Sequence, residues 1–401
     1  SLGGGGFLLA LPDGQKPRVY DFFCQTPRNK RSEKELDFYP IMANFGTAEQ
    51  EFHIGMGSMA VPGVVAGIFE AHRELGRMSV AEIMAPAIGL ARSGVVVDAF
   101  HHYIIRILRP IMRATPESFA LYESPEKPDE LIREGELLCN SAAADAMEAL
   151  ILEGPDLFSR GEGAARLAAD SSDKGGHLTI EDLENYVVER REPVVFRYRG
   201  VKCAINPPPS PGGCLVAFAL DVAGDWDAEN DTWGSERHMM NLLRGMRAAS
   251  VARHEFSMES GLDDATRERL LDPETIRAWQ RGLRLNSLFS RGTTHISVAD
   301  SQGNIASLTA SNGEGCAYVL PGTGIMLNNM LGEEDINPGG FHRWRENTRL
   351  SSRMSPAVAE WPDGTRVALG SGGSNRIRSA ITQVLMNLID FQMTPKQAVE
   401  A

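Results

Sequence analysis

Apolar and polar residues alternate on both sides of a polar tetrapeptide late in the chain. Gly292-Thr293-Thr294-His295-Ile296-Ser297-Val298-Ala299-Asp300 leads into Ser301-Gln302-Gly303-Asn304, and Ile305-Ala306-Ser307-Leu308-Thr309-Ala310-Ser311-Asn312-Gly313 follows it. A period of two on either side of a short Gly-containing loop predicts a β-hairpin with a four-residue loop. Folding it about the loop centre brings Ser311 or Asn312 opposite Thr293, at the roughly 4.5 to 5.5 Å that separates directly opposed residues. Further strands are predicted for Phe7–Leu11, entered by a turn at Gly3 to Gly6, for the segment from Arg18, for Val194–Arg199 and Val201–Ile205 around Gly200, and for Val367–Leu369. A Gly-rich phosphate loop is disfavoured at 3–6, because these glycines precede a strand with no Lys-Ser/Thr and no helix after them.

Helical spacing covers Val61 to about Arg92, with Gly76 as a stop, and residues 98–112 and 141–153, with a polar, Pro-containing stretch from Thr115 to Pro128 between the last two. Thr179-Ile180-Glu181-Asp182 has the form of a capping box opening a short helix. Pro207 to Pro209 end a sheet edge, and Gly212-Gly213 start a helix through Val222. Helices are also predicted from about Ser235 to Phe256, with Met239, Leu242, Leu243 and Met246 as its core stripe, from about Arg376 to Phe391, and from Thr394 on. Residues 257–292 are polar and charged without sustained alternation, which predicts an exposed segment.

The 401 residues are 42% hydrophobic and 23% charged, the balance of a soluble globular chain with a large core. A net charge of -13 without a Lys/Arg cluster argues against a nucleic-acid partner. No apolar run approaches the roughly 18 residues of a membrane span. Cys24, Cys139, Cys203, Cys214 and Cys316 are scattered, odd in number and lack metal-site spacing. They read mostly as small buried hydrophobes, with a Cys203–Cys214 disulfide left open. His53, His101 and His102 read as structural.

Thr293 is the candidate nucleophile. A threonine hydroxyl is a weak nucleophile near neutral pH, and an α-amino group on the same residue can serve as its base. Such a group has a pKa of about 7.7 to 8.0, close to the optimum for a base at neutral pH. Cleavage between Gly292 and Thr293 would create it, and a residue without Cβ before the cut leaves the carbonyl open to attack. Gly370-Ser371-Gly372-Gly373-Ser374 follows a strand and precedes a helix. The N-H groups of Gly372 and Gly373, or of Ser374 in an alternative register, are fixed donors suited to an oxyanion.

Thr-Thr-His-Ile-Ser-Val at 293–298, Pro321 to Asn329, Leu350-Ser351-Ser352-Arg353-Met354-Ser355-Pro356 and Gly370 to Ile377 together resemble the γ-glutamyltranspeptidases, a family of N-terminal-nucleophile hydrolases. Gly3 to Phe7, Pro62 to Gly67, Leu178 to Leu183 and Pro207 to Gly213 match in the same order, so the resemblance spans the chain. It implies an α+β fold, a four-layer αββα sandwich, built jointly by a large-subunit portion 1–292 and a small-subunit portion 293–401, with the chain shortened at both ends relative to the family. It implies substrate contacts from Ser351, Ser352, Glu333 and Asn312 (or Gly313), with Ser311 in place of the family's second threonine. Phe23 stands where the family has an arginine that holds the donor carboxylate, and Met330 where it has a glutamine. Arg353 is extra to the usual motif and is the candidate to supply the missing guanidinium.

The expectation is a self-processing γ-glutamyltransferase or hydrolase that forms an acyl-threonine, passes it to water or an amine, and needs no metal or organic cofactor. A cephalosporin-acylase-type enzyme on another acyl amide, and an unprocessed binding protein on the same fold, are the alternatives. Compartment, periplasmic or extracellular against cytoplasmic, is left open, as is a homo-oligomer.

Overall fold

A computed structural model describes residues 2–44, 49–224, 231–256, 258, 261–279, 293–373 and 376–401. The chain forms two compact units, one of Ser1–Gly5, Phe22–Val188 and Ser311–Arg349, the other of Gly6–Asp21, Glu189–Ala310 and Leu350–Ala401. Each draws on both sides of position 292.

The second unit is built on two sheets. Its strands are β1 (Gly5–Leu11), β2 (Arg18–Phe22), β3 (Glu189–Arg191), β4 (Val194–Tyr198), β5 (Val201–Ile205), β6 (Thr294–Ala299), β7 (Ile305–Ser311), β8 (Ala357–Glu360) and β9 (Arg366–Leu369). The end residues Gly5, Phe22 and Ser311 count with the other unit. Strand order is β6-β7-β1-β2-β3 in one sheet and β9-β8-β5-β4 in the other. The sheets meet at β6 and β9, and Ser307 Oγ of β7 donates to Leu369 O of β9 at 3.1 Å.

The β6–β7 hairpin forms as the alternation requires, with Thr294 opposite Ala310 and Ala299 opposite Ile305. Its loop is one residue longer than the tetrapeptide, because Asp300 leaves the strand to organise it. Asp300 Oδ1 accepts from the N-H groups of Gln302 and Asn304, each at 2.9 Å, and Gly303 takes φ 87°. The β4–β5 hairpin closes through Arg199 and Gly200 at φ 47° and 83°, the left-handed pair that a tight two-residue turn needs.

Helix α1 (Gly212–Ala223) is apolar on every side and buried at every residue but Asp221, as a helix between a sheet and other helices must be. It packs against β4, α2 (Glu236–Glu255) and α3 (Arg376–Ile389). The stripe expected on α2 is displaced. Met239 is 44% exposed, and the buried face is His238, Asn241, Leu242, Gly245, Ala248, Ala249 and Ala252. Small residues won the interface because α2 comes so close that a Cβ on Gly245 would lie 2.4 Å from Ala219 O. The polar segment after Phe256 holds helices at Asp264–Leu270 and Pro273–Trp279, the first capped by Asp263. Leu262 and Leu270 fix it to the core, which corrects the expectation of an exposed segment throughout. Gly292 lies outside the described residues.

The first unit is mainly helical, with Val64–Leu75, Val80–Ser93, Ala99–Ile107, Ser141–Glu153 and Glu162–Asp173 as its longer helices and a hairpin of Tyr39–Asn44 with Glu49–Ile54. The Thr179–Asp182 capping box is present with both reciprocal bonds. A helix at Pro116–Tyr122, capped by Thr115, falls inside the polar stretch between the helices expected at 98–112 and 141–153. Pro at the first helical position and a threonine cap are start signals that outweighed the stretch's polarity. One core gathers Phe52, Ile54, Ile105, Ile111 and Ile132, a second Met59, Val61, Leu167, Leu183 and Leu327.

All five cysteines are free, so Cys203 and Cys214 are not bonded, and burial pushes both thiols up to about 12. Among the described residues no helix is long and apolar enough to cross a membrane.

Two glycine substitutions test this packing in opposite directions. Gly245→Ala should lower stability by about 1 to 3 kcal/mol through overpacking. Gly89→Ala, inside a helix with nothing within 4 Å of the new Cβ, should raise it by about 0.5 to 1 kcal/mol. Denaturant unfolding of the two variants decides; equal effects would mean that α2 does not approach α1 this closely.

Candidate active site

Thr293 is half-buried and immediately precedes β6. The turn after β9 lies on its main chain. A Cβ built on Gly372 would sit 2.2 Å from Thr293 O and 3.3 Å from Thr293 Cβ, so only glycine permits the approach. Gly373 takes φ 109° and its carbonyl accepts from Arg376 N, the first residue of α3, at 3.0 Å. Ser371 Oγ donates to Gly372 O at 2.9 Å. Thr293, Gly372 and Gly373, chosen from sequence on separate grounds, are therefore brought together within one unit. Ser374 lies outside the described residues.

His295, two residues from Thr293 and on the same face of the strand, was assigned no role from the sequence. Its Nδ1 is 2.9 Å from Thr309 Oγ1 and its Nε2 2.8 Å from Ser297 Oγ. Burial pushes its pKa down to about 4, so the ring is neutral at pH 7. The alternation that predicts the hairpin also puts residues 293, 295 and 297 on one face, and that signal was available.

Ser351, Ser352 and Arg353 lead into β8. Ser352 is buried, its N-H donating to Ser210 Oγ at 3.2 Å and its Oγ accepting from Met354 N at 3.1 Å. Ser351 and Arg353 are half-buried. The Arg353 carbonyl accepts from Ser355 Oγ at 2.9 Å and lies against Gly212, where a Cβ would come within 2.6 Å of it.

In the first unit, the chain turns sharply after β7. Ser311 Oγ accepts from Gly313 N at 3.1 Å, Asn312 O accepts from Gly315 N at 3.2 Å, and Gly313 and Gly315 take φ 61° and 92°. Asn312 Nδ2 donates to Met326 O at 3.3 Å, while its Oδ1 has no partner among the described residues. A Cβ on Gly313 would meet Asn329 Oδ1 and Glu333 Oε1, each at 2.2 Å, so the turn carries Gly313 onto the buried Glu333 carboxylate. Asn329 Oδ1 holds the turn by accepting from Glu314 N and Gly315 N. Met330, beside them in sequence, is 1% exposed and serves as core.

Phe23 is equally buried, and its carbonyl accepts from Tyr186 Oη at 2.7 Å and from Arg349 Nη1. Arg349 also donates to Tyr186 Oη and, through Nη2, to Val187 O, with its guanidinium 4.6 Å from the Tyr186 ring centroid. The guanidinium beside Phe23 in this unit is thus one the sequence reading passed over. Nothing in the local pattern of residues marks Arg349 apart from other loop arginines. Among the described residues no group of three or more His, Cys, Asp or Glu could hold a metal ion.

The model of the gamma-glutamyltranspeptidase family matches residues 1–401. The chain is 30% identical to an acylase ACY 1 proenzyme of Pseudomonas sp. (strain SE83), over all of this chain and 73% of that one. It is 26% identical to a glutathione hydrolase proenzyme of Bacillus subtilis (strain 168), over all of this chain and 72% of that one. Among solved structures, cephalosporin acylase from Bacillus halodurans superposes with a TM-score of 0.83 at 23% identity, covering all of this chain and 74% of that one. Helicobacter pylori gamma-glutamyltranspeptidase does so at 0.61 and 23%, covering 72% and 80%. These two likenesses show a shared fold of mixed helix and sheet.

The buried histidines give the fold a pH dependence. His177, whose Nδ1 accepts from Arg31 N at 3.0 Å, is pushed by burial to about 4, as is His295. An unfolded chain takes up these protons near 6.5 and the folded chain only near 4, so the unfolded state binds more protons in between and stability falls as the pH falls through that window. Denaturant midpoints should drop from pH 7 to pH 4.5, and His177→Gln should flatten the slope. An unchanged slope in that variant would show that His177 titrates normally.

Proposed function

We propose, since the chain belongs to the gamma-glutamyltranspeptidase family, that it is a self-processing amide hydrolase or acyl transferase whose nucleophile is Thr293. The observation that carries this reading is the seating of Thr293 against Gly372, the residue chosen as an oxyanion donor. Cleavage of the Gly292–Thr293 bond divides the chain into portions 1–292 and 293–401 and frees the α-amino group of Thr293. Relatives named as proenzymes support this step. The two sheets of the second unit are, on this reading, the middle layers of an αββα sandwich.

The chemistry then follows from the residues. Thr293 Oγ attacks the carbonyl carbon of an amide while its proton passes to the α-amino group. Negative charge collects on the carbonyl oxygen and is held by the N-H groups of Gly372 and Gly373, fixed donors worth a few kcal/mol apiece in such sites. The C–N bond breaks, the leaving amine takes the proton, and an acyl-threonine ester remains. Water or an amine attacks it and regenerates the hydroxyl. Ser311, standing in for the family's second threonine, is the residue assigned to orient the nucleophile. Neither metal nor organic cofactor enters these steps.

For the donor, the reading assigns γ-glutamyl amides with altered recognition, contacted by Ser351, Ser352, Arg353, Asn312 and Glu333. The second reading is a glutaryl-type amide, which lacks the α-ammonium group. It is favoured by the acylase likeness, the higher of the two in identity and in TM-score, and by Phe23 in the place of a carboxylate-binding arginine. The first is favoured by Glu333, whose carboxylate would pair an ammonium.

Wild-type protein should run as two fragments on a denaturing gel and Thr293→Ala as one chain of 43.7 kDa. Hydrolysis of γ-glutamyl and glutaryl anilides should fall by at least about 10³-fold in the variant. The preferred anilide identifies the donor class, and activity surviving in Thr293→Ala would remove this residue from the mechanism.

A further inference from the structure

The inward face of β7 is polar where a sheet-on-sheet core is ordinarily apolar. Ser307 and Thr309 are fully buried, and buried hydroxyls require partners. Ser307 donates to the carbonyl of Leu369, the last residue of β9 before the glycine turn. Thr309 faces His295 directly across the hairpin and meets its Nδ1, and the other ring nitrogen meets Ser297. A neutral imidazole has one donor and one acceptor nitrogen, so the two hydroxyls must have opposite polarity and the ring is fixed in its plane.

That ring lies on Gly370. A Cβ there would sit 2.2 Å from His295 Nδ1 and 2.4 Å from Cε1. Two residues on, Gly372 meets Thr293, two residues back along β6. The turn therefore runs antiparallel over the strand, with 370 on 295 and 372 on 293. The first contact is backbone on an imidazole ring and the second is backbone on backbone.

We infer that His295 is a positioning residue for acyl transfer at Thr293: its ring, locked by Thr309 and Ser297, sets the height at which the Gly370–Gly373 turn rides over the nucleophile. It acts through Gly370 and touches no substrate. The inference rests on the reading of Thr293 as nucleophile. Removing the ring leaves a gap under Gly370, and the turn's N-H groups shift relative to the carbonyl that Thr293 attacks. Misplacement of about 1 Å in such a site can cost about 10²-fold in rate.

The test is steady-state hydrolysis of the preferred anilide by the full chain carrying single and paired substitutions. His295→Ala should lower kcat by about 10- to 100-fold with KM within about 2-fold, the signature of lost transition-state geometry. His295→Gln, whose amide supplies one donor and one acceptor, should recover a substantial part of the loss. Gly370→Ala drives a methyl into the ring and should also lower kcat. Adding His295→Ala to it should raise kcat above that of Gly370→Ala alone, because the methyl then occupies vacated space. A kcat within about 2-fold of wild type in His295→Ala, or losses in the pair that simply multiply, would overturn the inference. If His295→Ala does not fold by circular dichroism, the Gln variant and the Gly370→Ala pair decide. Thr293→Ala separates the two levels: activity there defeats the nucleophile itself, whereas an inactive Thr293→Ala beside a fully active His295→Ala defeats only the positioning role.

Discussion

The contact on which the site geometry depends is main chain on main chain. Gly372 and the Thr293 carbonyl approach within a distance that no Cβ tolerates, so at this point the start of β6 and the turn between β9 and α3 meet through backbone atoms, with the His295 ring lying under Gly370 beside them. Backbone contacts have few rotamers to lose and move only if a sheet or helix moves with them. The same device recurs in the first unit. A Cβ on Gly4 would lie 2.0 Å from Ser311 O, and Gly313 approaches Glu333 as closely. Glycine at these positions is a steric requirement.

Such a site needs rigid support. Helix α1 lies beneath the second sheet, buried but for Asp221, and each of its Leu, Val and Phe side chains contributes about 1.5 to 3 kcal/mol of apolar burial. Near the first sheet the strategy changes, because Ser307, Thr309 and His295 replace apolar packing by a chain of hydrogen bonds. Hydrogen bonds give direction where dispersion does not, and a satisfied buried network specifies one arrangement of its members. That is the property wanted beside a nucleophile.

Much of the fold was legible in the sequence because local chemistry and tertiary structure agree there. The β6–β7 hairpin, the tight turn at Gly200 and the Thr179 capping box have strong short-range signals and formed nearly as read, with Arg199 joining the turn instead of the strand. The hairpin was in error only by Asp300, an aspartate that prefers a turn to a strand. Where tertiary contacts override local pattern, reading failed. Met239 fits a 3.6-residue stripe, yet α2 turns Gly245 and its alanines inward because small residues let two helices touch. Within the site, Gly372 was legible through a motif and His295 through alternation that went unused. Arg349 was legible through neither, since its role arises from three acceptors distant in sequence.

Arg349 also bears on how far likeness can carry function. Where the family places an arginine side chain at position 23, this chain buries a phenyl ring, and Arg349 donates to the Phe23 carbonyl and the Val187 carbonyl. A guanidinium engaged with main-chain carbonyls holds two loops together. One paired with a carboxylate selects a ligand, and the two uses compete for the same N-H groups. Met330 makes the same point, as a core residue where an amide would reach a substrate. The fold is therefore shared with proteins named as acylases and as glutathione hydrolases, while Phe23 and Met330 of this chain serve packing. Fold and reaction class follow from the shared parts, and identity of 26 to 30% to the relatives does not transfer the donor.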